Sequence, residues 1–416
     1  MRPTHRAGCA ATVAVLLVVG ACSSDPAPRA DPVPSPSTAA ATPPPSQEAS
    51  AVTPADPEPT ADQAELDRRL IDAAWANDVD RAERLVDRGA DVNAQDGTQQ
   101  SAFLIATSEG YDELLDLTLR RGADVDARDG FDGTGLIRAA ERGHWRVVGR
   151  LVRAGVRLDH VNNLGWTALH EAVALGDGSQ RYVDTVRVLV AAGVDVGIRA
   201  GRDGRTAEET ARDSGFDAIA ELLARAAAGG PGRLAGDADD VALALRHGAA
   251  LESRDEHERT PLLRAVTEDR VDTARVLVAL GADPDALDDR HDTPWLVTGV
   301  TGSVPMLEVL LPAGPDLTIR NRFGGISVIP ASERGHVDYV RRVVQTGIDV
   351  NHVNDLGWTA LLEAVILGDG TEPYQEIVGI LLGAGADRSV ADHDGVTALE
   401  HAEAQGQSAV AGILRG

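Results

Sequence analysis

Two segments of this chain, 192 residues apart, are near copies of each other. The first reads His160-Val161-Asn162-Asn163-Leu164-Gly165-Trp166-Thr167-Ala168-Leu169-His170-Glu171-Ala172-Val173 and continues as Leu175-Gly176-Asp177-Gly178. The second reads His352-Val353-Asn354-Asp355-Leu356-Gly357-Trp358-Thr359-Ala360-Leu361-Leu362-Glu363-Ala364-Val365 and continues as Leu367-Gly368-Asp369-Gly370. A shorter period runs through both. A glycine recurs at Gly89, Gly122, Gly155 and Gly193, then at Gly248, Gly281, Gly314, Gly347 and Gly385, mostly in steps of 33. Such a chain cannot collapse around one central core. Each period is a small unit that buries its apolar face only against its neighbours, so the chain is a stack of units made by duplicating a block.

The residues inside one period specify its parts. Thr134, Thr167, Thr206, Thr260, Thr293, Thr359 and Thr397 stand where a helix needs an N-cap hydroxyl. A Leu and an Ala follow at helical spacing, as in Leu169 and Ala172 or Leu262 and Ala265. The small Ala lets two helices approach closely. A second helix carries patterns such as Val147-Val148-Leu151 and Val186-Leu189. The recurring glycine ends that helix at positive φ, which costs a residue with a β-carbon free energy. The segment after it, as in Gly89-Ala90-Asp91-Val92-Asn93, is a hairpin finger. The fold class is therefore all-α: helix–turn–helix–β-hairpin units repeated about ten or eleven times.

Thr167-Ala168-Leu169-His170-Glu171-Ala172 is one substitution from the T-P-L-H-x-A signature, so residues 62–416 resemble ankyrin-repeat proteins. The longer duplicated form resembles exported bacterial ankyrin-repeat lipoproteins. The resemblance implies binding of another protein through fingers and inner helices, and no catalysis. Ser101 in place of the usual Thr, and Gly325-Ile326-Ser327-Val328-Ile329, depart from the pattern and predict distorted units.

Residues 1–21 have a basic start and an apolar run from Ala10 to Val19, too short to span a bilayer, and read as a lipoprotein signal peptide. Val19-Gly20-Ala21-Cys22 resembles a bacterial lipobox, which makes Cys22 the expected lipidation site; ordinary signal cleavage after Ala21 is the alternative. Two acyl chains there would anchor the protein stably in the lipid bilayer at the outer face of the cytoplasmic membrane. Residues 22–61, rich in Pro, Ala and Ser, read as a disordered tether. Block one is expected over 62–224 and block two over 257–416. Residues 225–256 form a degenerate joining unit, because Gly229-Gly230-Pro231-Gly232 falls where a first helix should be. Apolar Leu234, Val241, Leu243 and Leu245 still need burial there. Either the stack runs through with a flaw and a loose joint at Gly229–Gly232, or the junction is a hinge; the burial these residues need favours the continuous, irregular stack.

The net charge is −26, with no lysine, and such a chain is repelled by phosphate backbones, which argues against nucleic acid as a partner. The only cysteines, Cys9 and Cys22, lie in the leader, so neither disulfides nor thiol ligands are available further on. No P-loop, dinucleotide fingerprint or nucleophile elbow is present. His170 and Glu171 are adjacent and do not share a helix face, and Leu362 replaces the His in the second copy. No cofactor, metal site or catalytic residue follows from these patterns. The candidate partner-binding residues are His160, Asn162, Trp166 and His170, with His352, Asn354 and Trp358 in the second copy. The turns after the motif are five residues longer than the period requires and add Asp177 and Tyr182, then Asp369 and Tyr374. Each of these also has a structural role to fill, the tyrosines by folding back over a helix end. A solenoid that binds a small molecule or ion in an acidic groove is the alternative reading. An enzyme with an unrecognised site is disfavoured.

Overall fold

The computed structural model describes residues 61–416; the expected leader, Cys22 and all but the last residue of the expected tether lie outside the described residues. Among the described residues the regular elements are helices. Isolated antiparallel bridges, Arg128 to Thr134 and Ala391 to Thr397, are all the strand pairing they show. The first block pairs α1 (Ala61–Trp75) with α2 (Val79–Asp87), α3 (Ala102–Glu109) with α4 (Asp112–Arg120), and α5 (Gly135–Glu141) with α6 (Trp145–Arg153). It continues with α7 (Ala168–Ala174) and α8 (Gln180–Ala192), then α9 (Ala207–Asp213) and α10 (Asp217–Ala227). A single helix, α11 (Ala238–Arg246), follows. The second block pairs α12 (Pro261–Thr267) with α13 (Val271–Ala279), α14 (Pro294–Thr301) with α15 (Val304–Leu310), and α16 (Val328–Glu333) with α17 (Val337–Val343). It ends with α18 (Ala360–Ile366) and α19 (Glu372–Gly383), then α20 (Ala398–Ala404) and α21 (Ser408–Arg415).

The caps explain the boundaries. The hydroxyls of Thr134, Thr167, Thr206, Thr260, Thr293, Thr359 and Thr397 each accept a backbone N–H from three residues on. Ser101 does the same for Leu104, so that unit is regular despite its sequence. Ser327 does not: its backbone is helical, its side chain caps nothing, and α16 has only six residues. Apart from the turn at Ala200, which closes on backbone bonds, each finger turn closes on one Asp or Asn that accepts the N–H groups two and four residues on, as Asp129 does from Phe131 and Gly133. Within a block, first helices pack on first helices and second helices on second helices.

The stack does not run through residues 225–256. After α10 the chain turns back, and α11 packs on α8 while α13 packs on both α8 and α6. Block two thus starts back in the opposite direction on the second-helix side of block one, packed through α11 and α13 against α8 and α6. Val241 and Leu243 are fully buried in this contact rather than within a continued stack. The reason lies in the second helices. On α8 the residues Tyr182 to Val186 and Val188 to Ala191 are buried, so the helix is covered on both faces. Its counterpart α19 buries only Ile377, Val378 and Leu381. Gly149 of α6 admits the backbone of Ala279, where its counterpart is Arg341. Ion pairs complete the contact: Arg187 with Asp239 (2.6 Å) and Asp184 (3.2 Å), and Arg275 with Asp184 (3.2 Å) and Asp272 (2.7 Å). The joint is also not loose. A β-carbon on Gly232 would lie 2.0 Å from the Asp240 carbonyl oxygen, so this glycine holds the turn against α11.

Candidate functional site

Second helices packed against second helices leave the finger and first-helix faces of both blocks on the outside. The duplicated motif lies on those faces, and most of its polar groups are used within the solenoid. His160 Nε2 donates to the Asp132 carbonyl (2.7 Å), and His352 Nε2 donates to that of Gly324 (2.7 Å). Each staples its finger to the preceding one. Asn162 Oδ1 accepts from the Leu164 and Trp166 N–H groups (both 3.0 Å), while its Nδ2 donates to Glu171 (2.7 Å). Asn354 repeats this with Leu356, Trp358 and Glu363. His170 Nδ1 meets the Thr167 hydroxyl at 2.9 Å and Nε2 donates to the Arg205 carbonyl at 3.3 Å. Burial lowers its pKa, and this neutral tautomer bridges two units.

The long turns close on themselves. Asp177 accepts from the Ser179 N–H, and Asp369 from the N–H and hydroxyl of Thr371. Tyr182 OH reaches back to the Glu141 carbonyl (3.0 Å) and Tyr374 OH to that of Glu333 (2.9 Å). The tyrosines therefore hold the end of the preceding first helix. Trp166 and Trp358 stay half-buried.

The motif and the finger before it also expose large apolar side chains. Phe131, Val161, Leu164 and Leu175 are solvent-exposed in block one, and Phe323, Val353, Leu356 and Leu367 in block two. Every member of the second set is 192 residues from a member of the first. The candidate residues chosen from the sequence sit beneath or beside this patch, and its Phe and Leu members were not among them. The signal was present in the sequence: the duplication keeps large apolar residues at finger positions where polar ones suffice.

Beneath each patch lies a carboxyl group. Glu171 is 2% exposed, and its Oε2 is buried without a hydrogen-bond partner. Burial raises its pKa, opposed by the Asn162 amide. In block one this floor also holds Arg138, bonded to Asp129 and to Glu141 (2.8 Å) and lying 5.2 Å from the centre of the Phe131 ring. In block two a pocket of about 200 Å³ opens at the same place, bounded by Asn321, Phe323, Pro330, Glu333, Leu356, Trp358 and Glu363. Burial, then the nearby Glu333 carboxylate, raise Glu363 to about 7.

Comparison with known proteins identifies the repeats. A family model described as ankyrin repeats (3 copies) matches residues 102–200, 136–231 and 296–392, and a single ankyrin repeat matches 257–289. The chain is 36% identical over 180 residues to the ankyrin repeat protein YahD of Escherichia coli K12, covering 43% of this chain and 90% of that one. It is 34% identical over 100 residues to mouse ankyrin repeat domain-containing protein 63, covering 23% of this chain and 26% of the mouse protein. An ankyrin repeat domain from Acinetobacter baumannii AYE shares 45% identity over 40% of this chain and 84% of its own, with a TM-score of 0.39. With the 33-residue units, the capped helix pairs and the family match over more than half of its length, the chain belongs to the ankyrin-repeat family.

Proposed function

We propose that this protein is an exported, lipid-anchored scaffold that binds a protein partner on its two outward faces. The observation that carries the reading is the patch of exposed Phe and Leu side chains repeated on the finger and first-helix face of each block. Apolar side chains clustered on a surface are otherwise a liability, and they contribute binding when a partner covers them. The lipobox at Cys22 supports anchoring at the outer face of the cytoplasmic membrane. Among the described residues no helix is long and apolar enough to cross a membrane. The high negative charge disfavours nucleic acid as a partner.

The test uses photo-crosslinking residues placed at Phe131, at Phe323 and, as a control, at Glu376 on the exposed side of α19. The scaffold reading expects the first two to capture a shared partner and the control to capture none. Capture from Glu376 alone contradicts it. Separately, Cys22→Ser should move the protein out of salt-washed membranes. A variant that stays with them overturns the anchor.

A further inference from the structure

The two copies of the motif differ at one place where the difference is chemical. In block one Arg138 lies between Asp129 and Glu141, against the face of Phe131. In block two the residue 192 positions on from Arg138 is Pro330, and Asp129 is replaced by Asn321. Phe131, Glu141, Asn162, Trp166 and Glu171 keep their identities as Phe323, Glu333, Asn354, Trp358 and Glu363. The second copy has therefore lost its internal guanidinium and one carboxylate, and kept the other groups that surround them.

That loss leaves Glu333 without the cation that Glu141 has, while Glu363, like Glu171, keeps one carboxyl oxygen without a hydrogen bond among the described residues. Glu363 is 6% exposed and lines the pocket. One of its oxygens accepts from Asn354, and the other accepts no hydrogen bond among the described residues. Glu333 lines the same pocket and makes no ion pair among the described residues. The arginines nearest in sequence both lie outside this lining: Arg322 is engaged by Asp292 at 3.1 Å and lies over the Phe323 ring, and Arg334, next to Glu333, is exposed and makes no ion pair with it among the described residues. A buried carboxyl without a cation is a costly arrangement that a matching cation relieves.

We infer that this pocket receives the side chain of an arginine presented by the partner protein, its guanidinium set between Glu333 and Glu363 beside Phe323, in the place that Arg138 fills beside Glu141 and Phe131 in the first copy. The inference rests on the protein-binding reading for the source of that arginine. A guanidinium suits the place better than an ammonium. It donates in a planar fork to two acceptors at once, and its flat face lies against an aromatic ring. The aliphatic stem would run past Pro330 and Leu356 at the mouth. Block one pairs Glu141 with Arg138 internally, so the two outward faces are not equivalent: one carries its own guanidinium and the other takes one from a partner.

The experiment follows the indole N–H signals of Trp166 and Trp358 by NMR in the full chain while a blocked Gly-Arg-Gly tripeptide is added, with lysine and citrulline counterparts as controls. The arginine peptide should move the Trp358 signal with an affinity of about millimolar, the range for a single side chain, and leave Trp166 in place. Glu333→Gln, nearly isosteric, should weaken binding about tenfold. Pro330→Arg should abolish it by supplying the guanidinium internally. Arg138→Ala should make the Trp166 signal respond. Thermal melts accompany each variant, so loss of fold is not read as loss of binding. A citrulline peptide that binds equally well, an unchanged affinity in Glu333→Gln, or no movement of Trp358 overturns the inference. Free arginine binding where the blocked peptide fails also overturns it. If the peptide fails while crosslinks from Phe131 and Phe323 persist, the arginine pocket falls and the scaffold reading stands.

Discussion

A β-carbon on Gly149 would stand 2.3 Å from the carbonyl oxygen of Ala279. The two solenoid blocks therefore meet with the backbone of α6 against the last residue of α13, and only glycine fits between them. Gly149→Arg, which installs the residue its counterpart Arg341 carries, should separate the blocks. Overpacking a close contact costs about 1–3 kcal/mol, and a long side chain against backbone lies at the upper end. Urea unfolding should shift by that amount and divide into two transitions as the blocks uncouple. An unchanged single transition contradicts the back-to-back contact.

Asp184 is 2% exposed and faces Arg187 on its own helix and Arg275 on α13. Removing one partner from a buried ion pair leaves the other charge uncompensated, at a cost of about 3–5 kcal/mol. Asp239 and Asp272 remain to face the two arginines, so Asp184→Ala should fall near about 3 kcal/mol. Asp272→Ala, at a site half open to water, should cost less than about 1 kcal/mol. Denaturant titration of both variants gives the comparison, and equal losses contradict the assignment of Asp184 as the buried member.

Glu363 titrates at about 7 in the folded protein against 4.5 for an ordinary glutamate. A carboxyl whose folded pKa lies above its unfolded value contributes stability that is fully present below about pH 4.5 and is lost as pH rises through about 7. At about 1.4 kcal/mol per pH unit the loss is roughly 3 kcal/mol at most. Unfolding free energies at pH 5 and pH 8 should differ in this direction. Glu363→Gln should flatten the difference and gain stability at pH 8. A variant with the same pH slope as the parent contradicts the assignment.

The units were legible in the sequence because each part depends on neighbours within a few residues. Thr167 caps α7, Gly193 ends α8 in a left-handed conformation, and Asn162 closes its finger, all by local bonds. The path at residues 225–256 was not legible in the same way. Val241 and Leu243 announce burial without naming the surface, and that surface, the back of α8, lies about fifty residues earlier in the chain. One signal did exist. Gly149, Asp184 and Arg187 have Arg341, Glu376 and Gly379 as counterparts, so the duplication diverged at the positions where the blocks touch. The site was half legible for a related reason. His160, His170 and Tyr182 stood out as chemistry-bearing side chains, yet each spends its polar atoms on a backbone carbonyl. Phe131 and Leu164 drew no notice as apolar residues, and only their exposure sets them apart.

The central claim is that the solenoid doubles back, so that both copies of the apolar face look outward. Small-angle scattering from the chain lacking residues 1–60 tests it directly. Helix layers stack at about 10 Å, so eleven units in one continuous stack would reach about 110 Å. Two blocks packed second helix to second helix should give a maximum dimension of about 70–80 Å, and Gly149→Arg should lengthen it. A parent protein already near 110 Å would contradict the account.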